Sequence, residues 1–407
     1  MDETPASRPD QAMREEGLSG LGGGANQAGG RAYNERLAIS LIRLNGPLSR
    51  AELARLTGLT PQTLSHIVRR LEDEELLLAL SPLRGRVGQP STPYALNPDG
   101  ALSFGVKIGR RSTEIVLCDF LGNIRGRARR SHAFPEPEFT LAFIATQIEA
   151  LRRTYAGGSR VVGVGVAMPF ELWKWAEEVV APPGVLEGWR HLDVAADLAA
   201  RTGLPAYLAN DATAACGAEL QNNPRSAGQD WLYVFVGSFV GGGVVLNGAL
   251  YQGRGRNAGA IGSTPVFVGG KVTQLIRHAS LITLEKSVAS AGLDPAILQR
   301  PDEDWSGLGS ILGSWIDTSA QALATAVVAA ASVIDFSRIC IDGAIPRPVL
   351  RALVDAVKAR VETLTLDGLS PFEIDAGEIG SDARALGGAI LPMSANFSCD
   401  QDVLLKR

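Results

Sequence analysis

At 407 residues the chain is too long for one ordinary domain and predicts two or three. Hydrophobic residues at 45 % and charged residues at 20 % are the composition of globular domains with sizeable cores. A net charge of −4 excludes nucleic-acid binding by bulk positive charge, so a basic surface for such binding must be local.

Residues 1–30, poor in aromatics and ending in GLSGLGGGANQAGG, cannot bury enough apolar surface to offset their ordering entropy and are expected to form a disordered tail. A helix is predicted from about Asn34, with Leu37, Leu41, Ile42 and Leu44 at helical spacing, and Asn45-Gly46-Pro47 ends it. Ser49 with Glu52 three residues on is a capping box that opens a second helix. Its apolar face is Leu53, Ala54 and Leu56, and Gly58 makes the turn. Thr60 caps a third helix and Pro61 takes its first position, where a missing N–H costs nothing. In that helix Leu64, Ile67, Val68 and Leu71 face inward, while Gln62, Thr63, Ser65, His66 and Arg69 face outward. A short strand at Leu76 to Leu80, a loop SPLRGRVGQ and a returning strand at Pro93 to Leu96 complete three helices and a hairpin, the pattern of a winged helix-turn-helix over residues 31–97. Asn97-Pro98-Asp99-Gly100 is the expected hinge.

From Leu102 the pattern changes. The segment SFGVKIGRRSTEIVLCDFLGNIRGRARR predicts three strands joined by turns, followed by a helix at Phe139 to Thr154 and an apolar strand at Val161 to Ala167. Strand and helix patterns then alternate to the C-terminus, so residues 101–407 are expected to be α/β. The longest apolar run, Ala320 to Ile334, is alanine-rich and too short to span a bilayer comfortably, and it predicts a buried helix. Cys118, Cys216, Cys340 and Cys399 lie far apart with no C-x-x-C pair, which fits buried small hydrophobes in a reducing compartment and argues against a thiolate zinc site. No basic-then-apolar leader is present, and a cytoplasmic location is expected.

The winged module carries Arg31, Arg36, Arg43, Arg50, Arg55, Arg69, Arg70, Arg84 and Arg86. Positive charge of this kind neutralises phosphates and releases counterions, and the N–H groups at Thr60 to Gln62 can also meet phosphate. Gln62, Thr63, Ser65, His66 and Arg69 are placed to read base edges in a major groove, while Arg84 and Arg86 on the wing are candidates for an adjacent minor groove. The acidic run Glu72 to Glu75 predicts a solvated helix end.

Three glycine-bearing segments punctuate the α/β region: GVKIGRRST from Gly105, VGSFVGGG from Val236 and GEIGSDARALGG from Gly377. Glycine there either lets backbone N–H groups approach phosphate or makes tight turns. Asn210 and Asp211 stand between a predicted strand end and the helix Ala212 to Leu220, placed either to bind sugar hydroxyls or to cap that helix. These pieces, with GVGVAMPF, Gly188-Trp189, GLPAYLANDATAACGAE, GALYQGRGRNAGAIG and IDGAIP, make the chain resemble the ROK family of repressors, open reading frames and sugar kinases. The resemblance runs from about Asn34 to the C-terminus and implies an actin-like, ribonuclease-H-like ATPase fold of two lobes. The winged module is similar to that of the family's repressor branch, of the xylose and N-acetylglucosamine type.

Departures from the family pattern carry as much information. Where kinases of the family have D-x-G-x-T, with a carboxylate that helps hold magnesium-nucleotide, this chain has Lys107, then Gly109, Arg110 and Arg111. A lysine cannot ligate Mg²⁺, and phosphoryl transfer needs the metal in line. In the second phosphate segment Gly241 and Gly242 match, but Phe239 is bulky where a small residue is usual. The family's E-x-G-H becomes Ala260 and Ser263, and its cysteine cluster is missing, so neither zinc nor that glutamate's sugar contact is expected. Asp211 matches the family's catalytic base, left here to hydrogen-bond a hydroxyl. Trp173, Trp175 and Trp189 are expected to fill a core or a dimer seam, and His132 and His191 to be ordinary polar residues.

The resulting expectation is a regulator without metal, cofactor or catalysis: a homodimer on a pseudo-palindromic double-stranded operator, with a sugar or sugar derivative bound at Asn210 and Asp211. Gly109, Arg110, Gly241 and Gly242 would be remnants of phosphate loops. The alternatives are a sugar kinase with an appended DNA module, and a regulator that senses no small molecule.

Overall fold

The computed structural model describes residues 27–82, 91–175, 181–223, 228–300 and 303–399. By contact they form two compact units, one of the described residues up to Gly100 together with those from Ala395, the other of Ala101–Ser394.

The first unit contains α1 (Gln27–Asn45), β1 (Leu48–Ser49), α2 (Arg50–Thr57), α3 (Pro61–Asp73), β2 (Leu77–Ala79) and β3 (Pro93–Leu96). The strands form an antiparallel sheet in the order β1-β3-β2, so Leu48, which pairs with Tyr94, adds a strand that its two-residue length hid from periodicity. The predicted caps are all formed. Ser49 N donates to Glu52 Oε2 at 2.8 Å and Glu52 N to Ser49 Oγ at 3.3 Å. Gly58 ends α2 at φ 70°, a left-handed conformation that favours glycine. Leu64, Ile67, Val68 and Leu71 of α3 are buried, as spacing predicts.

Two local expectations are corrected. Helix α1 begins at Gln27 rather than Asn34 and takes in Gly29 and Gly30; within this unit Arg36 Nη1 donates to Ser398 O at 3.4 Å, a late partner that local propensity cannot reveal. Its buried stripe is Ala38, Ile39 and Ile42, whereas Leu44 is 58 % exposed, so the helix is turned toward its smaller residues.

The second unit opens with β4 (Leu102–Ile108), β5 (Ser112–Cys118), β6 (Ile124–Ser131), α4 (Pro137–Tyr155), β7 (Val161–Ala167), α5 (Val194–Thr202), β8 (Ala206–Ala209) and α6 (Asp211–Asn222). It continues with β9 (Trp231–Val236), β10 (Val240–Leu246), β11 (Ala249–Tyr251), β12 (Pro265–Val268), β13 (Lys271–Gln274), α7 (Leu281–Ser290), α8 (Gly309–Ala331), β14 (Arg338–Gly343), α9 (Arg347–Val361), β15 (Glu373–Ala376) and α10 (Ala383–Phe397). Its two five-stranded sheets share one topology, β6-β5-β4-β7-β8 and β11-β10-β9-β14-β15. In each, a three-stranded antiparallel meander is extended by two parallel strands. Each sheet has its own apolar core, one around Phe104, Ile144 and Trp189, the other around Leu323, Leu350 and Trp305.

The lobes are joined by two helices that each cross to the other lobe's sheet. Helix α6 follows the last strand of the first sheet but packs on β10 of the second, where a Cβ on Gly243 would stand 2.4 Å from the Cys216 Cβ. Helix α10 follows the second sheet but lies on β4 and β7 of the first: a Cβ on Gly165 would meet Gly388 O at 1.9 Å. Where the helices meet, a Cβ on Gly387 would stand 2.0 Å from Ala214 O. Gly387 and Gly388 of the third punctuating segment therefore serve close backbone packing, while Gly380 turns the chain at φ 78°.

Candidate functional site

The first candidate surface is the outward face of α3. Thr60 Oγ1 accepts from Thr63 N at 3.2 Å and lies 2.9 Å from Thr63 Oγ1, while Ser65 Oγ donates to Pro61 O at 2.8 Å. These three hydroxyls are thus engaged in shaping the first turn. Gln62, His66 and Arg69 are exposed, and no partner ties them among the described residues. Of the five outward residues, these three have polar ends at liberty to reach a base edge.

Neighbouring arginines divide by role. Arg70 pairs with Glu35 at 3.1 Å and Glu74 at 3.0 Å, and Arg50 lies 3.6 Å from Glu72 and over the Tyr94 ring. Both brace the module, so they contribute less to phosphate neutralisation than their number in the sequence implies, and the acidic run is partly paired rather than only solvated. Arg84 and Arg86 lie outside the described residues.

The second candidate is a cavity of about 120 Å³ between the two sheets of the body, lined by Lys107, Gly109, Arg110, Glu114, Ser238, Glu285 and Arg384 among others. Lys107 is only 7 % exposed, and its Nζ donates to Ser112 Oγ at 2.8 Å and Glu114 Oε1 at 2.9 Å. Burial and the nearby Arg384 charge pull its ammonium down to about 8. Burial works against the Glu114 carboxylate, but Lys107, Arg384 and Arg129 outweigh it and hold the group at about 2. A Cβ on Gly109 would stand 2.7 Å from the Lys107 Cε, so this glycine seats the lysine instead of wrapping a phosphate.

Arg110 is buried, and both it and Arg111 pair with Glu285 of α7, Arg111 at 2.8 Å. The predicted phosphate-loop arginine is therefore a tie between the lobes. Gly241 and Gly242 are not in a loop at all: they lie inside β10, and the turn is Gly237 to Phe239. A run of glycines reads as punctuation in sequence, but in β10 it admits helix α6, since a Cβ on Gly241 would stand 2.9 Å from the Ala212 Cβ.

Asn210 caps α6, its Oδ1 accepting from Ala212 N at 3.1 Å and Thr213 N at 3.4 Å. Asp211 Oδ1 accepts from Ala212 N at 3.0 Å, and its Oδ2 lies 3.5 Å from Arg384 Nη1. Capping is thus realised, and the carboxylate faces Arg384 of α10, whose place in the glycine segment GEIGSDARALGG gives no local sign of that partner. Glu285 pairs with arginines more than 170 residues away, and Arg129, 3.5 Å from Glu114, meets it through the β5–β6 register, which residue spacing alone does not fix.

Trp189 is buried with its Nε1 donating to Pro135 O at 2.7 Å, and Trp173 packs against the same core; the Trp175 side chain lies outside the described residues. His191 is exposed. His132 is partly buried beside Thr113, and burial together with Lys107 lowers its imidazole to about 4. Among the described residues no group of three or more His, Cys, Asp or Glu side chains could hold a metal ion, and no helix is long and apolar enough to cross a membrane.

Comparison with known proteins agrees with this architecture. Residues 103–281 match the ROK family, and residues 31–77 match the winged helix-turn-helix DNA-binding domain. A xylose repressor of Bacillus subtilis (strain 168) is 24 % identical over 247 residues, 60 % of this chain and 64 % of that protein, so the chain spans less than two thirds of that relative's length. The crystal structure of a ROK family transcriptional regulator, a homolog of the E. coli MLC protein, superimposes with a TM-score of 0.66 at 19 % identity, covering 91 % of this chain and 97 % of that one. A ROK family glucokinase from Streptomyces griseus, in complex with glucose and AMPPNP, gives 0.57 at 19 % identity over 71 % of this chain and 98 % of its own. Residues 31–77 thus form a winged helix-turn-helix, and behind them residues 103–281 carry a ROK family domain within a body that has the fold of ROK regulators and kinases.

Proposed function

We propose that this chain is a DNA-binding transcriptional repressor whose ROK domain senses a sugar or sugar derivative and no longer transfers phosphate. The observation that carries the reading is the face of α3: one side packs the core, and the other presents Gln62, His66 and Arg69 from a helix that opens on Thr60 and Pro61. The names of relatives, among them xylose repressors, support repression and a sugar effector. The loss of catalysis rests on Lys107, which puts an ammonium where kinases of the family have a magnesium-binding carboxylate, already engaged with Glu114. A homodimer would present two winged modules to a pseudo-palindromic operator, and effector control requires that the ligand bind one lobe arrangement more tightly than another.

The test begins with genome-wide mapping of bound sites to obtain an operator. Replacing Arg69 with Gln should weaken specific binding by about 1–3 kcal/mol and relax preference at one base position. Unchanged operator affinity in both R69Q and Gln62→Ala would refute this docking. Incubation with ATP, Mg²⁺ and a sugar panel should yield no sugar phosphate, and sedimentation should report a dimer.

Two observations favour a second reading, a regulator blind to sugars: Asp211 is engaged by Arg384, and Ala260 stands where the family has a sugar-binding glutamate. Thermal-shift screening separates the two, because a ligand that binds only the folded state raises the unfolding midpoint.

A further inference from the structure

The body holds another cavity, of about 290 Å³, farther along α10 than the charged cleft. The cleft is lined from the start of α10 by Arg384, whereas this cavity takes Leu386, Ile390 and Met393 from the turns that follow. Their spacing of four and three residues puts them on one face of the helix. The facing wall is the end of α6, with Ala218, Gln221 and Asn222. The turn between β5 and β6 closes the space with Phe120 and Leu121. Leu121 is 47 % exposed beside this apolar helix face. The two walls are therefore the two helices that cross between the lobes.

The charges around this cavity are already spent. Asp119 Oδ1 accepts from Leu121 N at 3.0 Å and Asn123 N at 2.9 Å, and its Oδ2 accepts from Arg125 Nε at 2.9 Å and Asn123 Nδ2 at 3.2 Å. That carboxylate shapes the turn and has no lone pair left for a ligand. Asp382 is held by both Arg127 nitrogens, at 2.8 and 2.6 Å. Burial, with Asp119 nearby, pushes the Cys118 thiol up to about 12, so it stays neutral. Among the described residues no lysine, arginine or histidine lines the space. With two carboxylates on the wall and no cation, an anionic ligand is repelled. The polar ends at liberty are the carboxamides of Gln221 and Asn222, exposed at the rim and without a partner among the described residues. A carboxamide offers both a donor and an acceptor and no charge.

We propose that this cavity binds an uncharged small amphiphile, with its apolar body between α6 and α10 and its hydrogen-bonding end at Gln221 and Asn222. Burial of apolar surface supplies the affinity, and Met393 is a side chain that adapts to an irregular shape. The volume is close to the lower bound of ~300 Å³ for pockets that enclose a small ligand, which suits one fused ring system. The site is separate from the cleft, and its ligand class is distinct from a sugar. It requires only the body's fold, so it stands whether or not the cleft senses a sugar.

The test uses the full chain and prodan, an uncharged naphthyl ketone whose emission shifts to the blue in apolar surroundings. Anilinonaphthalene sulfonate, an anion of similar body, is the comparison. Prodan should bind saturably at one site, and the sulfonate at least tenfold more weakly. Hydrogen exchange with prodan bound should show added protection in both 211–222 and 383–397. Leu121→Asp removes part of the apolar wall and adds a charge, and should weaken prodan about tenfold or more. Gln221→Ala removes a rim amide and should weaken it several-fold. Both positions are exposed, so folding should be intact, and thermal unfolding checks this. Lack of saturable prodan binding, equal affinity for the sulfonate, protection confined to one of the two helices, or affinity unchanged in both variants would overturn the proposal.

Discussion

Replacing Glu285 with Gln probes the tie between the lobes. The Arg110 side chain is 2 % exposed and has Glu285 opposite it, while Arg111 at 29 % reaches the other carboxylate oxygen at 2.8 Å. Removing one charge from a buried pair costs about 3–5 kcal/mol, mostly from the ion left behind. Glu285 itself is 22 % exposed and water will partly solvate Arg111, so the low end, about 3 kcal/mol, is expected. All six tryptophans lie between Trp173 and Trp315, so intrinsic fluorescence reports on the body and not on the winged module. In a urea titration the fluorescence midpoint should fall by roughly 1 M, taking a slope of about 3 kcal/mol/M. The double variant R110M/E285M should recover most of the loss, because an apolar pair removes the buried charges altogether. A loss below about 0.5 kcal/mol in E285Q, or a double variant as weak as the single, would show that the pair is not the constraint described.

The same titration tests the helix crossing. Gly387→Ala forces a methyl to within 2.0 Å of Ala214 O, where only backbone can yield, and should cost about 3 kcal/mol or more, whereas Gly313→Ala, in open space within α8, should stabilise by up to about 1 kcal/mol. Equal effects of the two would refute the packing argument. Acid should weaken the body in two stages. His132 holds its proton less readily when folded, at about 4 against the ordinary 6.5, so as pH falls through that window the unfolded chain takes up a proton that the folded one refuses. Glu114, held at about 2 against the ordinary 4.5, contributes fully above that ordinary value and loses its contribution as pH falls toward 2. Unfolding midpoints measured from pH 7 to 3 should decline throughout, with the upper part flattened in H132N and the lower part in E114Q; unaltered profiles in both variants would contradict these assignments.

Local chemistry was legible and distant chemistry was not. Ser49 with Glu52, Gly58, and Thr60 with Pro61 declare their roles within four residues, and the structure realises each of them. The strand at Val161–Ala167 follows from its valine-rich run with no charged or polar side chain. By contrast, Arg110 and Glu285 lie 175 residues apart, and Arg384 and Asp211 173 apart, so no periodicity or spacing links them. Glycine was ambiguous for a physical reason. The absence of a Cβ permits a phosphate turn and a close helix approach equally, and only the packing partner distinguishes them. In sequence Gly241 and Gly242 therefore read as a loop, whereas in the structure they form part of a strand beneath α6.

Lys107, a departure from the family pattern, and Arg384 gain meaning together. A lysine at position 107 alone would leave a buried ammonium, and an arginine at position 384 beside it would raise the cost. Glu114 lowers that cost for Lys107 and Asp211 for Arg384, and Glu114 also faces Arg129 at 3.5 Å. The ties that hold the lobes, Arg110 and Arg111 on Glu285 and Arg127 on Asp382, line the same cavity.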